Sequence, residues 1–259
     1  MGGFLYFSFK MKYLFIIVFL FLGNKAFACK CDMPSVADSF IAADFVGRFK
    51  ILKVYPNQSE EAFYKADIEI LEQFKGPKIE SIYIGGRSDG KLGTSCDIFY
   101  PENSDLLVAA KVNTDGKIVF GMCSYTIDFK RSQRDNYRAM ETIRLLSNHY
   151  EDLTIHYRPY ISSNFYDFLV SKRGIKLIEK YAVYEVVLGD QVNATEVNII
   201  KGFGNEIDSE IVNELFNSVW EIRFYPKEDK IEGPIKVIVP VYYYPEENGE
   251  ESFLGNFTF

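Results

Sequence analysis

The sequence predicts a mainly β protein with an α+β second part, arranged as two domains. The chain has 259 residues, which is more than one small core requires. Short β-branched and aromatic runs separated by turn residues fill the first half, whereas the second half mixes such runs with a helical period. The 18 tyrosines and 23 phenylalanines also favour strands.

The first half contains five predicted strands. Asp115-Gly116 lies between the last two apolar runs, which is a strong signal for a β-hairpin. Five short strands with tight turns are typical of a closed barrel or a sandwich. The predicted strands cover residues 43–54, 62–74, 79–84, 105–112 and 117–123.

The period changes after the last of these strands. Apolar residues recur at three- and four-residue spacing between 131 and 149, which predicts an amphipathic helix that closes the barrel or leads out of it. Arg158-Pro159 then favours extended chain. We therefore expect residues 131–163 to be a helix and a linker between the domains. The residues that set the helical period are Tyr137, Met140, Ile143, Leu146 and Tyr150.

The second half predicts a small α+β sandwich over residues 164–244. Two strands joined by a turn at Gly189-Asp190 precede a helix, and two further strands are expected to form a final hairpin. The acidic residues 245–259 read as a loose tail. The predicted elements are strands 181–188 and 194–200, a helix at 205–219, and strands 220–225 and 234–244.

The N-terminus carries the pattern of a secretory signal peptide over residues 1–28. An apolar run at 13–23 follows Lys10 and Lys12 and precedes Ala26-Phe27-Ala28. The run is shorter than the roughly 20 residues that span a bilayer. We expect a secreted or periplasmic protein with no transmembrane span after cleavage; an uncleaved anchor and a lipid attached to Cys29 are the alternatives. The start codon is open between Met1 and Met11.

Four cysteines follow the predicted cleavage point, all in the first half: Cys29, Cys31, Cys96 and Cys123. In an oxidising compartment they predict two disulfides, with three connectivities open. A zinc site is the competing interpretation, but two distant single cysteines do not have zinc-ribbon spacing. On an extended strand Cys29 and Cys31 project to one face, while Lys30 points away.

Cleavage after Ala28 would make Cys29 the first residue and free its α-amine. Such an amine has a reference pKa of about 7.7–8.0, so part of it is neutral near neutral pH and can ligate a metal. Together with the Cys29 carbonyl it could chelate a zinc that has three protein ligands and one open position. Displacing the activated water would switch off a metallohydrolase. The alternative is that the disulfides only stabilise a small exported domain.

Several other functions are disfavoured. The net charge of −7 and the pI near 5.1 argue against a nucleic-acid partner. The two histidines, His149 and His156, leave little room for a catalytic triad or an H-E-x-x-H site. Residues 202–204 (GFG) lack the third glycine of a dinucleotide loop. We therefore predict a binding protein that is not an enzyme, with no cofactor and no metal of its own.

Six segments of the first half stand in a characteristic order and spacing: the opening C-x-C at 29–31, residues 43–50 (ADFVGRFK), 73–76 (QFKG), the isolated Cys96, 105–112 with 114–117 (TDGK), and Cys123. Over about residues 29–129 they resemble the tissue inhibitors of metalloproteinases. The resemblance implies a five-stranded OB-type barrel (residues 29–130 as a domain) and the pairings Cys29–Cys96 and Cys31–Cys123. It also implies that Cys29 contacts the zinc of a target metalloprotease and that Lys30 enters its specificity pocket.

Five segments of the second half carry a second resemblance: 165–169 (FYDFL), 184–190 (YEVVLGD), 196–204 (EVNIIKGFG), 208–210 (DSE) and 240–243 (PVYY). Over residues 164–244 they resemble the C-terminal domain of TonB. That resemblance implies a module that accepts a strand at a sheet edge. The alternative function is therefore a bacterial cell-envelope interaction protein that binds envelope proteins through this half, with the barrel as a structural module.

Overall fold

The structure is a computed structural model. It describes residues 29, 31, 35–57, 61–91, 93–130, 136–150, 157–224 and 234–256. The predicted signal peptide, Lys30 and His156 lie outside the described residues. Among those described, no helix has the length and apolar character needed to cross a membrane.

A closed five-stranded barrel forms the first domain. β1 pairs with both β2 and β4, and this closes a sheet whose order is β1-β2-β3-β5-β4. β3 and β5 are parallel, and the other neighbouring pairs are antiparallel. The predicted barrel is thus confirmed. Its strands are β1 (Phe45–Val54), β2 (Phe63–Lys75), β3 (Ser81–Gly85), β4 (Asp105–Val112) and β5 (Ile118–Phe120).

Alternation along the strands separates the inside of the barrel from its surface. In β2, Tyr64 and Ala66 are fully buried, whereas Lys65 between them is only partly buried. This period of two sends alternate side chains to opposite faces. The interior is filled by Phe45, Phe49, Ile51, Tyr64, Ala66, Ile68, Ile82, Ile84, Leu106, Val108, Ala110, Ile118 and Phe120.

Two elements next to the barrel were not predicted. The strand β6 (Thr126–Asp128) pairs with β4 and extends the sheet beyond the closed ring. A short helix, α1 (Val36–Ala42), lies between the N-terminal cysteines and β1. Ser35 caps it, because its hydroxyl accepts a hydrogen bond from the Asp38 backbone nitrogen at 3.1 Å. Seven residues are too few to show a clear helical period in the sequence.

The predicted helix after the barrel is α2 (Asn136–Tyr150), and it packs against α1 and both domains. The buried residues at this junction form one cluster, called here the shared core. It joins the outer side of the barrel to one face of the second domain's sheet. Its residues are Val36, Ala37, Phe40, Ile41, Ala43, Val46, Phe74, Leu107, Ala109, Ile127, Ala139, Met140, Ile143, Leu146, Tyr181, Val183, Ile238 and Tyr242.

The second domain is a four-stranded antiparallel sheet whose own two helices pack on the face opposite the shared core. The sheet order is β12-β11-β8-β9, and a separate two-stranded sheet joins β7 to β10. The elements are β7 (Tyr157–Ile161), α3 (Ser163–Ser171), β8 (Tyr181–Leu188), β9 (Ala194–Lys201), α4 (Ile207–Asn217), β10 (Trp220–Phe224), β11 (Ile235–Tyr244) and β12 (Phe253–Gly255).

Two expectations about this domain were wrong. The last two predicted strands do not form a hairpin, because β10 pairs with β7 inside the predicted linker while β11 pairs with β8. The predicted acidic tail is not loose throughout, since β12 pairs with Tyr242–Tyr244. Leu254 is only 3% exposed, and Phe253 stacks on Tyr244. These apolar residues at the end of the acidic segment explain its attachment to the sheet.

Candidate functional site

The four cysteines meet at one end of the barrel. Cys29 is bonded to Cys96 and Cys31 to Cys123, with Cα–Cα distances of 5.4 and 5.1 Å. This is the pairing that the family resemblance implied, and it leaves no free cysteine. The bonds close loops of 67 and 92 residues, for which the chain-entropy model gives about 4 kcal/mol each. The N-terminal segment is therefore held by two covalent anchors.

The anchor for Cys29 lies in the loop that follows β3. The Asp97 carboxylate accepts hydrogen bonds from the backbone nitrogens of Gly93 and Thr94 and from the Thr94 hydroxyl, at 2.7, 3.1 and 2.7 Å. The hydroxyl bond is the main reason that the pKa of Asp97 is lowered. The Ile98 nitrogen also donates to the Gly85 carbonyl at 3.0 Å. These bonds fix the loop around Cys96 at the end of β3.

The anchor for Cys31 lies in the turn that follows β5. The Ser124 nitrogen donates to the Gly121 carbonyl at 2.9 Å, and the Gly121 nitrogen donates to the Ser124 hydroxyl at 3.0 Å. Cys123 lies inside this turn. The neighbouring Met122 presents an apolar side chain that is 44% exposed. The two anchors therefore follow the ends of the parallel strands β3 and β5.

The backbone nitrogen of Cys29 lies at the surface beside Ser95. It donates to the Ser95 hydroxyl at 3.0 Å, and Ser95 itself is exposed. Cys29 and Cys31 are half-buried, whereas Cys96 and Cys123 are exposed. The prediction that Lys30 points away from the cysteines stays a prediction, because Lys30 lies outside the described residues. The arrangement holds one backbone nitrogen in a fixed place that a large partner can reach.

A buried lysine holds the helix that follows these cysteines. The Lys75 side chain is 7% exposed, and its ammonium donates to the carbonyls of Phe40 and Ile41 at 3.2 and 2.9 Å. These carbonyls lie in the last turn of α1, where such groups lack partners within the helix. Lys75 thus fixes the C-terminal end of α1 against the barrel. In the sequence, Lys75 belongs to the segment 73–76 that contributes to the family resemblance, but no role was predicted for its side chain.

Among the described residues, no group of three or more histidine, cysteine or acidic side chains could hold a metal ion. The described histidine, His149, lies at the end of α2, and its ring faces the Leu145 carbonyl at 2.8 Å. It is far along the chain from the cysteines and belongs to a different element.

Comparison with known proteins connects this geometry to one family. Residues 27–144 match the family model of the tissue inhibitor of metalloproteinase. The match covers the barrel, its four cysteines and part of α2, which is less than half of the chain. It supports an inhibitor-type binding role for this half, and inhibitors of this family are not enzymes. No curated protein matches the chain.

The comparisons give a different result for the second half of the chain. The resemblance of residues 164–244 to TonB has no support from these comparisons. The predicted two strands and the helix that follows them are present as β8, β9 and α4, and the two strands after the helix, β10 and β11, lie in different sheets instead of forming the predicted hairpin. That order describes a fold, and it does not identify a partner.

Sequence reasoning missed Ser95 as a neighbour of Cys29. The contact joins residues that are 66 positions apart, so no local pattern reports it. The signal that could have found it is its position beside Cys96, because a residue next to a disulfide partner is brought close to the other half of that bond.

Proposed function

We propose that the protein is an exported inhibitor of zinc metalloproteases that chelates the target's zinc through the amine and carbonyl of Cys29. The observation that carries this proposal is the surface position of the Cys29 nitrogen, 3.0 Å from the Ser95 hydroxyl, on a segment tied down by two disulfides. The family match over residues 27–144 supports it. Export is part of the proposal, because cleavage after Ala28 creates the free amine.

Rigidity is what makes such a terminus useful as a metal ligand. A free chain end would lose conformational freedom on binding, and that loss weakens affinity. Here the two bonds and the Ser95 contact restrict the terminus before the target arrives. A neutral amine and an adjacent carbonyl can then occupy the zinc's open position and displace the water that the protease needs.

Lys30 sets a condition on the target. The family resemblance places the residue between the two cysteines in the protease's specificity pocket. Burying an ammonium in an apolar pocket without a partner is costly. The proposed target therefore has a specificity pocket that is acidic or open to water. Replacing Lys30 with threonine is expected to broaden inhibition to proteases with apolar pockets.

The test compares two forms of the protein that differ by one residue. One form begins at Cys29, and its free amine is verified by mass spectrometry; the other keeps Ala28 in front of it. Both are assayed against a panel of zinc metalloproteases with acidic, open and apolar specificity pockets. We expect the first form to inhibit at least one acidic-pocket protease. The second form should bind that protease at least about 100-fold more weakly, because its Cys29 nitrogen is an amide and cannot ligate zinc.

Matched thermal unfolding of the two forms controls for damage to the fold. If the form with the verified free amine leaves the whole panel untouched, the proposal fails. Equal inhibition by both forms would also contradict it, because binding would then not use the amine.

A second candidate function uses the edge of the second domain's sheet. Among the described residues, β9 is an end strand of that sheet. A groove of about 410 Å³ lies between β9 and α4. Ile199 and Phe216 in its walls are 49% and 48% exposed. A strand edge beside an apolar groove fits an extended peptide whose alternate side chains are apolar. The groove lining is Val197, Ile199, Ser209, Val212, Asn213 and Phe216.

The test for this candidate is a screen of arrayed extended peptides against the full mature protein. We expect peptides with alternating apolar residues to bind, and Ile199→Lys or Phe216→Lys to abolish their binding. Ile178→Lys is the matched control, since Ile178 is 95% exposed and lies outside the groove. Binding that survives both groove substitutions would exclude this edge. Acetylating Cys29 separates the two functions, because it affects only the first.

A further inference from the structure

Asn57 joins two loops beside the barrel. It belongs to the connection between β1 and β2, and its side chain is bonded to the segment that directly follows β3. The described part of that segment, residues 86–91 and 93–98, is called here the Cys96 loop. The loop carries Ser95 and Cys96, which hold the first cysteine of the chain through a hydrogen bond and a disulfide.

Asn57 uses its amide group and its backbone nitrogen in this junction. The Nδ2 atom donates to the carbonyls of Glu61 and Gly86 at 3.1 and 2.9 Å. The Oδ1 atom accepts from the Ser88 nitrogen at 2.7 Å, and the Asn57 nitrogen donates to the Ser88 hydroxyl at 3.0 Å. These bonds need two amide hydrogens and an amide oxygen on one short side chain, which is what asparagine provides.

The base of the Cys96 loop is closely packed. The Ile98 nitrogen donates to the Gly85 carbonyl at 3.0 Å, and the Gly86 nitrogen donates to the Ala62 carbonyl at 2.9 Å. Gly86 has a φ angle of 136°, and a Cβ atom there would lie 2.5 Å from the Ile98 carbonyl oxygen. The two ends of the loop therefore meet at contact distance, and glycine is the residue that fits between them.

Bonds inside the loop connect this base to Cys96. The Thr94 hydroxyl accepts a hydrogen bond from the Cys96 nitrogen at 3.2 Å and donates to the Asp97 carboxylate at 2.7 Å. Asp97 directly precedes Ile98, so this path leads from the disulfide back to the base of the loop. We therefore expect any movement of the base to displace both Cys96 and Ser95.

We propose that Asn57 is a positioning residue for the N-terminus, because it holds the Cys96 loop and, through that loop, the Cys29 nitrogen. Gly86 is buried, and a buried carbonyl that loses its donor costs free energy. Removing the Asn57 amide is therefore expected to separate the base of the loop from the β1–β2 connection. The junction lies outside the apolar interior of the barrel, so we expect the barrel to stay closed without it.

The consequence for a protease rests on the proposed function, whereas the hold on the loop concerns this chain alone. Amide hydrogen exchange of the mature protein, resolved by NMR, measures that hold without a protease. The informative amides are those of Gly86, Cys96 and Ile98, because Asn57→Ala leaves their own acceptors in place. Each is expected to exchange at least about fivefold faster, the factor that corresponds to one hydrogen bond of about 1 kcal/mol. Amides of β4 should keep the rate of the parent.

Asn113→Ala is the matched control. The Asn113 Oδ1 atom accepts from the nitrogens of Asp115 and Lys117 at 3.0 and 2.9 Å, in the turn between β4 and β5. The control thus removes an asparagine that holds a barrel turn by similar bonds but does not touch the Cys96 loop. Exchange in the loop should stay within about twofold of the parent, as for independent sites. Thermal unfolding verifies that both variants are folded.

Ser88 provides a second pair of variants, which also serves if Asn57→Ala does not fold. Ser88→Ala removes the acceptor of the Asn57 nitrogen and is expected to accelerate exchange at the same three amides by at least about twofold. Ser88→Thr keeps a hydroxyl at this place and is expected to exchange like the parent. A threonine variant that behaves like the alanine variant would contradict a role for this hydroxyl in holding the loop.

Inhibition of a susceptible protease completes the test. Asn57→Ala should inhibit at least about fivefold more weakly than the parent, and Asn113→Ala should inhibit within about twofold of it. Unchanged exchange at the three amides overturns the inference, as does an equal acceleration in Asn113→Ala or throughout β4. Faster loop exchange with unchanged inhibition also overturns it, because the loop would then not position the terminus. If the parent inhibits no protease, the proposed function fails, and the exchange rates alone decide whether Asn57 holds the loop.

Discussion

The barrel end with the cysteines and the shared core hold the chain in different ways. At the barrel end, Cys96, Cys123 and Ser95 are exposed, and two disulfides provide the attachment. In the shared core, side chains such as Leu146 and Tyr242 are fully buried, and the attachment is apolar packing. Helix α1 connects the two regions, since it begins just after Cys31 and packs into the core.

The proposed function would explain this difference. A surface that binds a partner has to remain exposed, so it cannot be stabilised by burying its own apolar groups. Covalent bonds can fix such a surface without covering it. The shared core has no such restriction, and it joins the two domains into one packed unit. Substitutions that weaken the disulfide attachment or the apolar packing, but not both, therefore test whether the two regions act independently.

Removing one disulfide is expected to have the largest effect. The variant Cys31→Ser/Cys123→Ser loses a closed loop of 92 residues, so its unfolding free energy should fall by about 4 kcal/mol. Its inhibition should weaken as well, because only the Cys29–Cys96 bond then holds the terminus. Denaturant unfolding under oxidising conditions and the inhibition constant measure the two effects. Unchanged inhibition by a folded variant would mean that the terminus does not need this anchor.

Truncating the shared core is expected to reduce stability without affecting inhibition. Leu146→Ala removes a fully buried side chain from α2 and should lower the unfolding free energy by about 3 kcal/mol. Tyr137→Ala on the same helix is the control, because Tyr137 is 60% exposed. This substitution should lower the free energy of unfolding by less than about 1 kcal/mol. Inhibition by folded Leu146→Ala protein should equal that of the parent. A large loss of inhibition would show that the core and the terminus are coupled through α1.

Removing the Ser95 hydroxyl is expected to weaken inhibition without reducing stability, which is the reverse of the result expected for Leu146→Ala. Ser95→Ala deletes the acceptor beside the Cys29 nitrogen, and a single hydrogen bond of about 1 kcal/mol corresponds to roughly fivefold weaker inhibition. Stability should change by less than about 0.5 kcal/mol, since Ser95 is exposed. Ser95→Thr keeps a hydroxyl and should retain inhibition. If alanine and threonine behave alike, the hydroxyl does not position the amine.

The smallest expected effect concerns an ion pair between the barrel and α2. Arg144 donates to both Glu72 carboxylate oxygens at 2.8 and 2.7 Å, and this hydrogen bonding lowers the pKa of Glu72. Because the pKa is lower in the folded state, the pair stabilises the fold above the unfolded pKa of about 4.5, and the contribution is lost as the pH falls through the folded pKa. Both side chains are more than a third exposed, so solvent limits the effect to below about 1 kcal/mol.

Glu72→Gln measured against Glu69→Gln isolates this pair, because Glu69 is an exposed carboxylate on the same strand. At pH 7 the Glu72 variant should be the less stable of the two. The difference should disappear in acid, where the Glu72 carboxylate of the parent protein is protonated. A difference that persists below pH 2 would assign the effect to packing instead of charge.

Much of the fold could be predicted because it depends on local patterns. The strands at 105–112 and 181–188 match β4 and β8 residue for residue, since each is a single apolar run with clear ends. The short elements α1 and β6 were missed, because seven and three residues do not establish a period. The pairing of β10 with β7 was missed for a different reason: strand partners depend on contacts between distant segments, which no local pattern reports.

The candidate site likewise contains some residues that the sequence identifies and others that only the structure identifies. Cys29, Cys31, Cys96 and Cys123 are visible in the sequence because cysteine is a rare residue with distinctive chemistry. Ser95 and Lys75 are common residue types whose roles arise only from contacts across the barrel.

The most direct test of the central claim observes the metal of the target. A susceptible zinc protease is reconstituted with Co²⁺, whose visible absorption reports the ligands around the metal. The protein that begins at Cys29 is then added, and the form that keeps Ala28 serves as the control. We predict that the first form changes the visible spectrum with one-to-one stoichiometry while the second leaves it unchanged. Inhibition by the first form without any spectral change would contradict chelation through Cys29.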